Sequence, residues 1–353
     1  MSSRTRAWRD RGALRAGTLV LVALAILGLS STGAMAVPTG AAAVPLPDVA
    51  VLPKADPQVS MVINVGGGAQ PVRQESVSVV VGGARQPATV VPIMSDQLAV
   101  GIVVDASEAG SDQLHAWLSG AARFVLEAPA AAKATVIADT TPPRVLAPLQ
   151  QGPVDLVRAL SAVQPHGQRR TADALTLAVR QLPAAPPGPR VVILYTTAPD
   201  AAGEPAAQLA ARLARAHVLL VVASTAPDTQ YWSTAARATG GFLAPAGPSA
   251  VVPALDQIAI MLQTRYLVTF PTPDERPSHA FVRVDLPDVA MAADVVVPGT
   301  KTTVDGQPAD DAGGPGKGGA SPTDAALWVA VLGAVVLILL TAAIRWRVSR
   351  RSR

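Results

Sequence analysis

Cysteine is absent from this chain of 353 residues. Disulfides, thiolate metal centres and a cysteine nucleophile are therefore excluded. Histidine is scarce: His115, His166, His217 and His279 lie in separate segments with no H-E-x-x-H or similar spacing, which argues against a zinc hydrolase. No G-x-S-x-G stretch occurs, so the nucleophile elbow of a serine hydrolase is missing. Nor does a G-x-G-x-x-G follow the first buried strand, which disfavours a dinucleotide enzyme, and the Gly66-Gly67-Gly68 run has neither the lysine of a phosphate loop nor a helical pattern after it. Aromatic residues make up only 3% of the chain, so its core must be aliphatic. Trp117 and Trp232, on expected helices, read as core packing rather than ligand platforms.

What the chain has in quantity is apolar sequence, 50% of all residues against 15% charged, which is too much for a wholly soluble protein. Two segments hold the excess. Arg4, Arg6, Arg9, Arg11 and Arg15 precede TLVLVALAILGL and then Ala34-Met35-Ala36, a basic region, short apolar core and A-x-A site that read as a secretory signal over residues 1–36. AALWVAVLGAVVLILLTAAI, residues 325–344, is uncharged and long enough to span a hydrocarbon core. Five arginines follow over residues 345–353. Basic flanks stay in the cytoplasm, so the expected protein is a single-pass membrane protein with its amino-terminal part outside.

The net charge of +4 is a property of these ends. Between them lie 19 basic and 24 acidic residues, so the exported part is acidic and a nucleic-acid partner is not expected.

Periodicity divides the rest. Residues 37–57, rich in Ala, Pro and Val, read as an irregular lead-in. QVSMVINV and SVSVVVGGARQPATVVPI alternate apolar and polar positions around glycine turns, giving strands over residues 58–96. From Leu98 onward, apolar runs (LAVGIVV, ATVIAD, RVVILYT, HVLLVVAS, GGFLAP) alternate with helical patterns, the signature of a doubly wound, mostly parallel α/β domain over residues 97–264. RYLVTF, AFVRVDL and ADVVVP return to strand character over residues 265–298. Neither group of flanking strands suffices alone, so the two are expected to pair into one small β-sandwich. Residues 299–324, with many Gly, Pro, Asp and Lys, read as a flexible stalk.

The candidate site lies at the end of the first α/β strand, where ligands collect in open parallel sheets. There GIVVDASEAGSD places Asp105 and Ser107. With RRTADAL, VVILYTTAPD and YWSTAARATGG, the region from about Ser95 to Thr264 resembles the von Willebrand factor type A domain. That family's metal-ion-dependent adhesion site is built on D-x-S-x-S, a loop threonine and a distal aspartate. The resemblance implies Asp105, Ser107 and Thr171 as ligands of Mg²⁺ or Mn²⁺, and it implies a degenerate site, because Ala109 replaces the second serine and Thr197 the distal aspartate. Water substitutes for a lost hydroxyl. A lost carboxylate removes roughly 6–7 kcal/mol of attraction for a dication about 5 Å away at an effective dielectric near 20, before desolvation. Weak or absent metal binding is thus expected, with Ser111 and Asp200 the oxygens that a rearranged loop would offer instead. The alternative role for Asp105 is to cap the following helix or turn the strand through backbone N–H groups.

The function implied is extracytoplasmic protein binding, not catalysis, by a membrane-anchored adhesion or interaction module with a partner outside the cytoplasm. The alternative is a structural or accessory subunit that scaffolds a membrane or cell-envelope complex and keeps a vestigial metal site.

Overall fold

In a computed structural model, the residues described are 43–298, apart from 56–57, 67–70, 184–187, 247–250 and 275–276. The expected signal, stalk, membrane span and basic tail lie outside them. No helix among the described residues is long and apolar enough to cross a membrane.

The chain opens with β1 (Val44–Pro45), β2 (Asp48–Ala55), β3 (Gln58–Asn64), β4 (Val77–Val81), β5 (Ala84–Gln86) and β6 (Thr89–Pro92). Next come β7 (Ala99–Asp105), α1 (Ser111–Glu127), β8 (Lys133–Asp139), β9 (Arg144–Gln151), α2 (Val154–Ser161) and α3 (Thr171–Gln181). These are followed by β10 (Arg190–Thr196), α4 (Ala206–Arg215), β11 (Leu219–Ser224), α5 (Gln230–Arg237), β12 (Phe242–Pro245) and α6 (Val251–Gln263). Last are β13 (Arg265–Pro271), β14 (Ser278–Asp285) and β15 (Ala290–Val297).

The central sheet has the order β12-β11-β10-β7-β8-β9. All its pairs are parallel except β8 with β9. Every residue of β7, β10 and β11 is buried, which is why these strands read as unbroken apolar runs. On one face Val100, Ile102 and Val104 pack with Leu114, Trp117 and Phe124 of α1 and with residues of α2 and α6. On the other, Val103 packs with Ala174, Leu175 and Ala178 of α3 and with residues of α4 and α5. At Gly101 a Cβ would lie 3.3 Å from the Ala178 Cβ, so the glycine lets α3 sit close to the sheet.

Two antiparallel sheets, β1-β15-β14-β4-β5 with one parallel edge pair and β2-β3-β13-β6, flank this domain. Chain from both flanks builds each one: β3 pairs with β13 from Gln58 opposite Pro271 to Asn64 opposite Arg265, and β4 pairs with β14. Val59, Met61 and Ile63 share a core with Val79, Val268, Phe270 and Val282.

Two expectations need correction. Part of the lead-in over residues 37–57 is regular, since β2 pairs along β3 with a register shift between Leu52 and Ala55. Its proline falls within that register shift on an edge strand, a position where sheets tolerate proline. The segment after ATVIAD is not directly helical, because β9 intervenes as an antiparallel edge. Only one of its eight side chains, Ala147, is buried, so its sequence has no two-residue alternation to read.

Candidate functional site

The chain moves from β7 to β8 on one side and returns to β10 on the other, so the carboxyl ends of these three strands form the switch point of the sheet. Asp105 ends β7, Asp139 ends β8, and the two are cross-strand partners. Both are fully buried. A buried carboxylate needs donors to replace lost water.

Asp105 has five such contacts. Its Oδ1 accepts from the Ser107 hydroxyl at 2.6 Å and from the Ser107 N–H at 3.3 Å. Its Oδ2 accepts from the Thr197 hydroxyl at 2.8 Å, the Thr197 N–H at 3.2 Å and Arg169 Nη1 at 3.2 Å. The same Arg169 nitrogen donates to the Thr197 hydroxyl oxygen at 2.7 Å. Thr197 thus bridges the acid and the cation.

The turn after β7 is fixed around this carboxylate. Ser107 Oγ accepts the Gly110 N–H at 3.3 Å and so caps a single 3-10 turn, Glu108–Gly110, that leads into α1. A Cβ on Gly110 would lie 2.7 Å from Asp105 Cγ, so only glycine allows this approach. The loop before α3 is clipped to the turn by two bonds, His166 N–H to Ala106 O at 2.8 Å and Glu108 N–H to Gly167 O at 2.9 Å.

Asp139 binds different partners. Its Oδ1 accepts the Arg170 N–H and its Oδ2 the Thr171 hydroxyl, each at 2.6 Å. Burial pushes its carboxyl up to about 6; the Thr171 and Arg170 bonds oppose that rise, and the neighbouring Asp105 adds to it.

Of the residues named from sequence, Asp105, Ser107 and Thr197 converge. Thr171 lies beside them but directs its hydroxyl to Asp139. Ala109 is exposed on the 3-10 turn, and Asp200 accepts from the N–H of Ala202 in its own loop. Asp105 turns the strand through Ser107, while Ser107 rather than Asp105 caps the entry to α1. Arg169 and Asp139 went unread. Their signals were present: Asp139 closes ATVIAD as Asp105 closes GIVVD, and Arg169-Arg170 directly precede Thr171.

The side chains in this arrangement do not fit a divalent ion. Both oxygens of Asp105 are engaged by donors, and a guanidinium stands against one of them. Among the described residues no three His, Asp or Glu side chains group as metal ligands.

The site therefore sits at the switch point of a doubly wound α/β sheet, on an acid-serine turn. Residues 100–200 match the family model described as von Willebrand factor type A domain, a span that includes every residue of the site from Asp105 to Thr197. Domains of that description are typically protein-interaction modules. Among solved structures, proximal thread matrix protein 1 from the mussel byssus is 15% identical, with 51% of this chain and 49% of that one aligned and a TM-score of 0.43. This chain spans about half the length of that protein. An aerotolerance-related membrane protein from Bacteroides fragilis is 14% identical over 47% of this chain and 98% of that one, TM-score 0.40. A von Willebrand factor type A protein from Catenulispora acidiphila is 11% identical over 73% and 74%, TM-score 0.42. No curated protein matches the chain.

Proposed function

We infer that this protein is a membrane-anchored, extracytoplasmic interaction module that captures a protein partner at the carboxyl-terminal end of its central sheet and performs no chemistry there. The observation that carries the reading is the rim of that end. The loops after β7, before α3 and after β10 are tied to one another through Asp105, and they expose Glu108, Arg170 and Asp200 around a buried, hydrogen-bonded centre. A rigid base under exposed charged side chains suits recognition, because little ordering cost remains to be met on binding. The apolar run at 325–344 and the polar stretch at 299–324 supply anchor and stalk in this reading.

Proximity labelling from the exported face identifies the partner. Alanine at Glu108, Arg170 and Asp200 together then weakens its capture at least tenfold, while the melting temperature stays within a few degrees. Capture undiminished by this triple variant sinks the rim reading and leaves the accessory subunit that scaffolds a complex through other surfaces. Detection of residues 1–36 on the mature chain, or protection of the α/β domain from external protease, overturns the proposed processing or orientation.

A further inference from the structure

We propose that Arg169 is the resident cation of this site, a tethered guanidinium that partners the buried Asp105 and makes the site independent of any divalent ion. Asp105 is fully buried, and the carboxylate of Asp139 lies on the adjacent strand. Four of the five contacts to Asp105 come from neutral groups of Ser107 and Thr197. The fifth is Arg169 Nη1, the one side-chain cation within 4 Å of this carboxylate among the described residues. An ionised carboxylate in such a setting needs a counter-charge.

The neighbouring residues suit an arginine better than a metal. Thr197 presents one oxygen that accepts from Arg169 and donates to Asp105, a bridge that an aspartate at this position cannot make while ionised. The hydroxyl of Thr171 donates to Asp139 on the neighbouring strand rather than to Asp105. The Arg169 side chain is 29% exposed, so its stem crosses the rim and its head reaches the buried acid. A guanidinium offers a planar fork of N–H donors that suits a carboxylate and a hydroxyl side by side. A dissociable ion would make the site depend on metal concentration; Arg169 removes that dependence.

The test uses the full-length chain and Mn²⁺ alone, with affinity read by titration and stability by thermal melts in Mn²⁺ or in chelator. Wild type shows no Mn²⁺ binding at this site below millimolar concentrations and melts at the same temperature in both solutions. Arg169→Met keeps most of the side-chain volume and loses the charge. It melts lower in chelator, binds Mn²⁺ at least tenfold more tightly than wild type, and regains stability when the ion is added. Arg169→Lys keeps the charge and follows wild type in both measurements. A micromolar Mn²⁺ site in wild type overturns the proposal, as does an Arg169→Met affinity less than tenfold above wild type or an Arg169→Lys variant that gains Mn²⁺ as the Met variant does. Should Arg169→Met fail to fold, a folded Arg169→Lys variant with no Mn²⁺ gain, beside a wild type insensitive to chelator, supports it. Failure of Arg169→Lys to fold under the same conditions counts against it, because charge alone would then not be the requirement.

Discussion

Asp105 and Asp139 occupy paired positions on adjacent parallel strands, yet Asp105 receives the Arg169 guanidinium whereas Asp139 hydrogen-bonds to the Arg170 N–H and the Thr171 hydroxyl, both neutral donors. Two similar buried acids thus differ in their hydrogen-bonded partners. Their electrostatics differ accordingly, and the consequences are measurable.

The first concerns pH. The Asp139 carboxyl is pushed up to about 6 from an unfolded value of 3.8, chiefly by burial. Between those values the folded state binds more protons than the unfolded state, so stability falls as pH rises through this window. The loss is on the order of 2–3 kcal/mol. Asp139→Asn removes the titrating group, and denaturant unfolding between pH 4 and pH 7 should show a flatter profile than wild type. An unchanged slope means that Asp139 is not the group responsible.

Gly110 offers a steric test. Its Cα lies so near Asp105 that an added Cβ would meet Cγ and Oδ1 at 2.7 Å and the main-chain oxygen at 2.9 Å. Gly110→Ala must push the 3-10 turn off the carboxylate, at a cost of about 1–3 kcal/mol. Ala109→Ser, one residue earlier on an exposed position, should change stability by less than about 0.5 kcal/mol. Equal effects at the two positions would contradict the close approach.

The flanking sheets give a third. Phe270 on β13 is buried opposite Val59 of β3, whereas Phe281 on β14 is 43% exposed. Phe270→Ala should cost about 3–5 kcal/mol, several times the effect of Phe281→Ala. A chain truncated to begin at Ser95 loses both neighbours of β13 and the β4 partner of β14, and should aggregate or melt well below the intact protein. A truncated chain as stable as the intact one would show that the shared sandwich contributes nothing.

The elements legible in the sequence are those in which one environment covers the whole segment. GIVVD and RVVILYT are buried on both faces and read directly as inner parallel strands, and the alternation of QVSMVIN and AFVRVDL marks half-buried ones. RVLAPLQQ does not read as a strand because β9 is an edge that buries Ala147 alone, so pairing with β8 rather than pattern makes it extended. At the site, Asp105 and Ser107 were visible because a short local motif contains them both. Arg169 was not, since what defines it is a contact to Asp105 across 64 positions of sequence. The family motif specifies oxygens, missing here at Ala109 and Thr197, and has no position for a cation supplied by the chain itself.

That cation changes what a restored family motif should do. Ala109→Ser with Thr197→Asp adds a neutral oxygen and a carboxylate near Asp105, and from the motif alone Mn²⁺ affinity should rise. With Arg169 in place, however, the new carboxylate lies where the Thr197 hydroxyl now accepts from Nη1 at 2.7 Å, so it should form an ion pair with the guanidinium. The double variant is therefore expected to gain less than tenfold in Mn²⁺ affinity, and adding Arg169→Met to it should raise affinity at least a hundredfold further. The combination is non-additive, because all these changes act through one shared carboxylate. Mn²⁺ titration of wild type, the double variant, Arg169→Met and the triple variant completes the cycle. A double variant that binds Mn²⁺ as tightly as the triple one would show that Arg169 moves aside without cost, and that the missing carboxylate alone accounts for the weakness of the site.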